Sequence, residues 1–517
     1  MNKESRVKKS ILNAKINLLC YFVYLILSFF SRKTFLDCLG ADFIGLTGTL
    51  SSILGMLSIS EMGVGVAIAY NLYKPLEEGN QDRIEELVSV FGYLYRKIGV
   101  FILIAAIIIS CFIPIVFKNT VFSLSLIYFA FYSILLSSLF SYFINYRQII
   151  LSADQRDYIV TAYLRGAMFI KLLVQMAVAY YWGNYYIWIS LEIVYGVLSC
   201  IVLNWKIRKV YPWLNASVSK GKVYFPQNKH ILTFTKQIFV HKIKGFILNQ
   251  SDQILVFAFV SLKMVAFYGN YTLVISKVSD TFAAALNSFN AGVGNLVAEG
   301  KRDQIINVFW ELVSLRFIIA GFIVFSTYNL IEPFIILWLG SQYVLDRNIL
   351  ILLMINVFIM QTRGAVDMFN NAYGHYADTW SAWAEGILNI GVTIATAPFL
   401  GIIGILLGKI VSLFFIVFLW KPYYLFHDGF KIKIVNYWRE MSKYYLISVI
   451  IIVLGTLMFS LIPLDASLSF TMWILKAIVG IIPFMFIYIS VLLIFTPGSR
   501  IFFNRIITMV KNRSSYC

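Results

Sequence analysis

Charge is what this sequence has least of. Asp and Glu together number 25 in 517 residues, and all charged residues make up 13% of the chain, about half the roughly 25% usual for a soluble domain. Cysteine is scarce too: Cys20, Cys38, Cys111, Cys200 and Cys517 are scattered and odd in number, which suits neither a disulfide framework nor a metal-ligand spacing. The four histidines, His230, His241, His375 and His427, are equally dispersed and argue against a zinc centre. No P-loop, GxSxG, HExxH or paired loop carboxylates occur. ATP-driven transport by this chain alone and enzymatic function therefore lack a sequence basis, and no cofactor or metal is expected.

What the chain has is apolar length. Hydrophobic residues make up 60% of it, with a mean hydropathy of +0.79. Apolar segments fall at roughly 13–31, 43–70, 92–117, 121–144, 158–181, 185–204, 238–261, 265–290, 308–339, 349–371, 379–398, 400–420, 444–463 and 473–496. Most are near or above the roughly 20 residues a helix needs to cross about 30 Å of hydrocarbon. Without water in that layer the backbone must bond to itself, which dictates helices. The alternation of transmembrane β-strands does not appear. The expected fold is thus an all-α integral membrane protein of about 14 transmembrane helices. The N-terminal MNKESRVKKS has the basic flank of a signal peptide without a small-residue cleavage site, so the first helix reads as an uncleaved anchor.

Basic residues orient these spans. Across alternating loops and termini, 32 Lys and Arg fall on one side, and Arg32, Lys33, Lys118, Lys263 and Arg347 on the other. Lys171, Lys277, Arg316, Arg363, Lys409 and Lys476 lie within or at the ends of spans. Basic residues are retained in the cytoplasm, so both termini are assigned there, and the formal charge of +18 reads as topology rather than nucleic-acid binding. The largest loop, basic and containing VSKGKVYFPQNKH, follows the sixth span. On the same side, EEGNQDRI (77–84) and AEGKRDQI (298–305) match at an offset of 221 residues, which also pairs Gly48 with Gly269, Phe101 with Phe322 and Ile102 with Ile323. The offset spans six helices, so the two copies insert in the same sense, as parallel repeats do. The expected organisation is a lobe over 1–204, a basic linker over 205–237, a second six-helix lobe over 238–421, and a helix pair with a tail over 422–517.

Two such lobes are the frame of a rocking transporter with its site between them. The segment SISEMGVGVAIAYNLYKPLEEGNQDRI (58–84), above all the run from Glu61 through Gly63, Gly65, Tyr70, Tyr73 and Lys74 to Pro75, resembles the second-helix region of polysaccharide flippases. These are the O-antigen (Wzx-type) exporters of the multidrug/oligosaccharidyl-lipid/polysaccharide superfamily. The resemblance implies two six-helix lobes in a V, often with two further helices, and a cavity lined by helices 1, 2, 7 and 8. It also implies a substrate, undecaprenyl-diphosphate-linked glycan moved to the outer leaflet of the bacterial cytoplasmic membrane, with membrane lipids as further partners.

Charged groups in mid-membrane are costly and normally face a bundle interior or a wet cavity. On the seventh span His241, Gly245, Asn249 and Asp252 share one side, with Lys242 and Gln253 flanking; on the eighth Asn270, Lys277, Asp280 and Asn287 form a stripe. A diphosphate needs cationic partners, which assigns the headgroup and cavity to Lys277, Asn270, Asn249, Lys242, Lys244 and Arg316. Glu61, Asp252 and Asp280 are the candidates for proton or sodium coupling. Arg363 and Asp367, four residues apart, suit mutual neutralisation. Lys171 and Glu192 are open to pairing across helices, and Lys242 and Lys244 also fit ordinary positive-inside charge. Glu385 and Lys409 complete the set. Three alternatives compete: multidrug efflux, a peptidoglycan lipid-precursor flippase, and a membrane glycosyltransferase or glycan polymerase. The polymerase needs a sizeable outward loop with catalytic acids, and the outer loops here are short.

Overall fold

A computed structural model describes residues 6–58, 64–229, 231, 251–375 and 378–514. Every regular element among them is helical, as expected for a chain that must bond its own backbone in hydrocarbon. Eleven helices are long and apolar enough to cross a membrane, and the chain is a multi-pass membrane protein. Three expected spans are not among the eleven for identifiable reasons. Segment 43–70 forms an apolar helix of only 17 residues, Ala41–Leu57. Most of 238–261 lies outside the described residues. Segment 265–290 is a 26-residue helix, Leu262–Asn287, whose Lys277, Asp280 and Asn residues lower its hydropathy.

The chain divides into two compact units, one through Ala266 and one from Phe267. The first holds α1 (Arg6–Cys38), α2 (Ala41–Leu57), α3 (Val64–Glu78), α4 (Gln81–Ser110), α5 (Leu124–Ile144), α6 (Asp157–Trp182), α7 (Tyr185–Val210) and the short α8 (Val218–Tyr224). Its helices approach through small residues, the usual device where lipid removes the hydrophobic drive for helix association. A Cβ on Gly45 of α2 would stand 2.0 Å from the Leu262 carbonyl oxygen, and one on Gly48 would stand 2.8 Å from Gln253 Oε1. Gln253 also accepts from Ser52 Oγ at 3.3 Å. The loops assigned by charge to one side do meet one another: Lys9 reaches Asp154 Oδ1 at 2.6 Å, and Arg83 Nη2 donates to Asn228 Oδ1 at 2.9 Å.

The second unit holds α9 from Phe267 onward (Leu262–Asn287), α10 (Asn290–Glu299), α11 (Arg302–Leu339), α12 (Arg347–Thr362), α13 (Gly364–Ala372), α14 (Thr379–Leu400), α15 (Ile402–Ser412), α16 (Ile434–Ser460), α17 (Phe470–Phe495) and α18 (Pro497–Ser514). At 38 residues, α11 is about 57 Å long. It outruns the hydrocarbon and is the most buried of the eleven. The C-terminal helices pack on it through glycines: Gly321 lies under the Tyr488 ring, and Gly498 against the Trp310 carbonyl. Phe325 and Phe484 stack with centroids 3.6 Å apart.

The matched sequence copies occupy matched structural positions. In each, a helix ends at the glutamate, glycine turns the chain with φ of +70° (Gly79) or +72° (Gly300), and a long helix starts two residues later at Gln81 or Arg302. Both are tight turns between helices.

Candidate functional site

In the second unit the chain brings charge together among helices long and apolar enough to cross a membrane. Helix α12 runs 16 residues from Arg347, about 24 Å, and gives way to α13 at Arg363. There Arg363 Nε meets Asp367 Oδ2 at 2.6 Å, and its Nη1 lies 3.8 Å from Glu385 Oε1. The i,i+4 spacing foretold the first contact; the second links α13 to α14 and follows only from the fold. Glu385 is fully buried.

Arg316 joins this cluster from α11. Its guanidinium fills the notch left by Gly364, where a Cβ would fall 2.4 Å from Cζ. Arg316 is 9% exposed, feels the charge of Asp367, and makes no ion pair or hydrogen bond among the described residues. Two guanidinium groups thus face two carboxylates, with only one of the two cations tightly engaged. Such an arrangement leaves the second guanidinium able to donate to an anion, and the negative charge that anion adds is offset if a carboxylate such as Glu385 takes up a proton.

A polar stripe continues from Glu385 along α14. Ser381, Glu385, Asn389 and Thr393 recur every four residues, and none is more than 1% exposed. Ser381 Oγ donates to Asp378 Oδ2 at 2.8 Å, and the same oxygen takes Trp420 Nε1 at 3.0 Å and the Lys421 ammonium. Farther along, Asn389 Nδ2 and Thr393 Oγ1 are buried without a hydrogen-bond partner among the described residues. Gly408 of α15 approaches this stretch, its Cβ position 2.3 Å from Thr393 Oγ1 and 2.6 Å from the Asn389 carbonyl oxygen. Buried polar atoms left unsatisfied are uncommon and call for water, an ion or a functional role. The sequence reading passed over Asn389 and Thr393, although their four-residue spacing from Glu385 was the available signal.

The remaining candidates fall in different surroundings. On α9, Asn270 is fully buried, Lys277 half-buried, and Asp280 and Asn287 exposed, so the stripe crosses from core to surface. Next to Asn270, the Tyr271 hydroxyl accepts from Leu345 N at 3.1 Å, which ties α9 to the loop before α12. Lys409 is half-buried on α15. In the first unit Asp252 is 8% exposed. Lys171 and Glu192 do pair, at 2.8 Å, and Gln175 Nε2 adds a bond to Glu192 of 3.0 Å; this set links α6 to α7. Glu61, Lys242, Lys244 and Asn249 lie outside the described residues, as do His241 and Gly245. No group of three metal-ligating side chains is found among the described residues.

Comparison with known proteins places this geometry in a fold. No family model matches the chain, and no curated protein matches it by sequence. Solved structures do. The lipid II flippase MurJ in an inward closed conformation aligns with a TM-score of 0.61 at 14% identity, over 92% of this chain and 99% of that one. An inward-facing multidrug resistance MATE family transporter of the MOP superfamily aligns with a TM-score of 0.56 at 14% identity, over 79% of this chain and 95% of that one. The chain has the MOP-type transporter fold.

Proposed function

We propose that this protein is a flippase that carries an undecaprenyl-diphosphate-linked oligosaccharide, such as an O-antigen, capsule or exopolysaccharide repeat unit, from the inner to the outer leaflet of a bacterial cytoplasmic membrane. The observation that carries the reading is the fold likeness to the lipid II flippase MurJ along nearly the whole of both chains. The MATE likeness leaves about a fifth of this chain uncovered, roughly the length of the C-terminal helix pair and tail. The Glu61–Pro75 run adds the polysaccharide-flippase resemblance.

In this reading the lobes are the two repeats, joined by the basic linker, with both termini cytoplasmic. The headgroup enters a hydrated cationic cavity served by Lys277, Asn270, Asn249, Lys242, Lys244 and Arg316, while the polyprenyl tail stays in lipid. Arg316 is the best supported of these, because its guanidinium is buried and not committed to a carboxylate. Glu61, Asp252 and Asp280 couple transport to protons or sodium, and fully buried Glu385 joins them. Net charge around the cluster then changes with headgroup and proton occupancy, which gives each ligand differential affinity for the two orientations of the lobes.

The test is reconstitution. Proteoliposomes loaded with a fluorescent lipid-linked oligosaccharide are expected to expose it to a membrane-impermeant lectin faster than protein-free vesicles do. Arg316→Gln should slow this at least about tenfold, the size of effect expected for losing one charged hydrogen-bonding partner. Equal rates with and without protein would refute the function. The MurJ likeness favours one second reading, transport of the peptidoglycan lipid precursor. Preference for that lipid over longer glycans in the same vesicles would select it.

A further inference from the structure

Away from the intramembrane charges, α4 and the linker helix α8 enclose a concavity of about 430 Å³ lined by Tyr93, Arg96, Lys97, Val100, Val218, Ser219 and Lys222. Three of those seven are cations. Positive-inside retention explains why basic residues occur on this side, but not why three converge on one hollow. Their neighbours sharpen the point. Glu85 is held by Lys220 and by Asn215 N, and Glu86 by Arg83 at 2.6 Å and Asn228 Nδ2 at 2.7 Å. Both of these carboxylates are therefore taken. Arg96, Lys97 and Lys222 have no ion pair or hydrogen bond among the described residues. Lys97 instead lies over aromatic rings, 4.7 Å from the Tyr93 centroid and 5.9 Å from that of Phe225.

The hollow sits where α4 changes character. Arg96 and Lys97 end its polar stretch, and GVFILIAAIII follows, with Val100, Phe101 and Ile104 all exposed. Cations are thus at the polar edge and aliphatic side chains at the apolar edge, the layout of a headgroup boundary. The second wall is fixed by one residue. Gly221 of α8 lies so close to α4 that a Cβ would stand 2.0 Å from the Ser89 carbonyl oxygen.

We infer that this hollow binds the phosphate of an anionic phospholipid in the adjoining leaflet and so fastens the linker to the membrane. Lipid phosphate satisfies the three cations, and the glycerol and upper acyl carbons follow Val100 and Phe101. The site goes beyond the flippase reading and does not depend on it, since it uses none of the residues assigned to transport.

The test is native mass spectrometry of the full-length protein titrated with phosphatidylglycerol, with phosphatidylcholine as the neutral reference. Cations near an anionic leaflet contribute roughly fivefold each in affinity. The triple variant Arg96→Gln/Lys97→Gln/Lys222→Gln is expected to bind phosphatidylglycerol at least about tenfold more weakly. Gly221→Ala, which leaves every charge in place but displaces α8, is expected to lose the same lipid. A control of equal charge, Arg208→Gln/Lys433→Gln/Arg439→Gln, should bind as wild type does. Wild-type binding by the first triple variant, or equal loss in the control, would overturn the site. Full competition by millimolar inorganic phosphate would reassign it to a free anion, and preferential capture of a polyprenyl diphosphate would reassign it to transported substrate; either result overturns the phospholipid assignment.

Discussion

Arg363 stands between two carboxylates that differ in burial: the Asp367 side chain is 32% exposed and that of Glu385 is not exposed at all. Removing the guanidinium leaves a buried charge without compensation, a loss of about 3–5 kcal/mol. Arg363→Ala should therefore lower the unfolding temperature in detergent, and adding Glu385→Gln should recover part of the loss. A double-mutant cycle on these residues measures the coupling directly. His375, between α13 and α14, gives a pH signature. Burial lowers its imidazole below the usual 6.5; Asp428 and Asp378 oppose this shift, while Lys421 and Lys431 add to it. The unfolded chain then takes up the proton first as pH falls, so this contribution to stability is present above pH 6.5 and is lost on acidification through the folded pKa. His375→Gln should flatten the fall of the unfolding temperature below pH 6.5. At this scale the sequence disclosed what spacing encodes. The Arg363–Asp367 pair is a four-residue step, whereas the Arg363–Glu385 contact needs two helices to dock. Asn389 and Thr393 were passed over because an isolated amide or hydroxyl in an apolar helix is ordinary. Only Glu385 on the same face makes them notable.

Between elements, glycine sets the distances. Gly404 of α15 lies against the α14 backbone, with its Cβ position 2.6 Å from Ala397 N. Backbone cannot yield as a flexible side chain can, so Gly404→Ala should cost about 1–3 kcal/mol and loosen the α14–α15 hairpin, read as faster hydrogen exchange in both helices. Gly79 and Gly300 act through conformation instead. Each has open space for a side chain but a positive φ, so alanine there should cost about 1–2 kcal/mol without disturbing packing. Hydropathy placed most helices within several residues, because twenty apolar positions leave little choice of structure in hydrocarbon. It ran segment 43–70 through as one span, where the regular helix Ala41–Leu57 is followed by a separate α3 from Val64. The repeat was legible from a few identities because the glutamate–glycine turn demands particular residues. The docking of the C-terminal helices on α11 was not, since aromatic contacts such as Phe325–Phe484 have no spacing rule.

For the whole molecule, the recurrence of long apolar segments led to an all-helical membrane fold, and the likeness to solved structures at 14% identity shows how little sequence identity that fold requires. The proposed substrate rests on fewer residues than the fold does. The direct measurement is deletion of the gene in its native host, followed by quantification of lipid-linked glycan repeat units in each leaflet of the cytoplasmic membrane. If the proposed function holds, these units accumulate on the cytoplasmic leaflet, and the wild-type gene reverses this whereas Lys277→Ala or Arg316→Gln does not. Normal surface glycan together with new sensitivity to drugs would contradict it and indicate efflux instead.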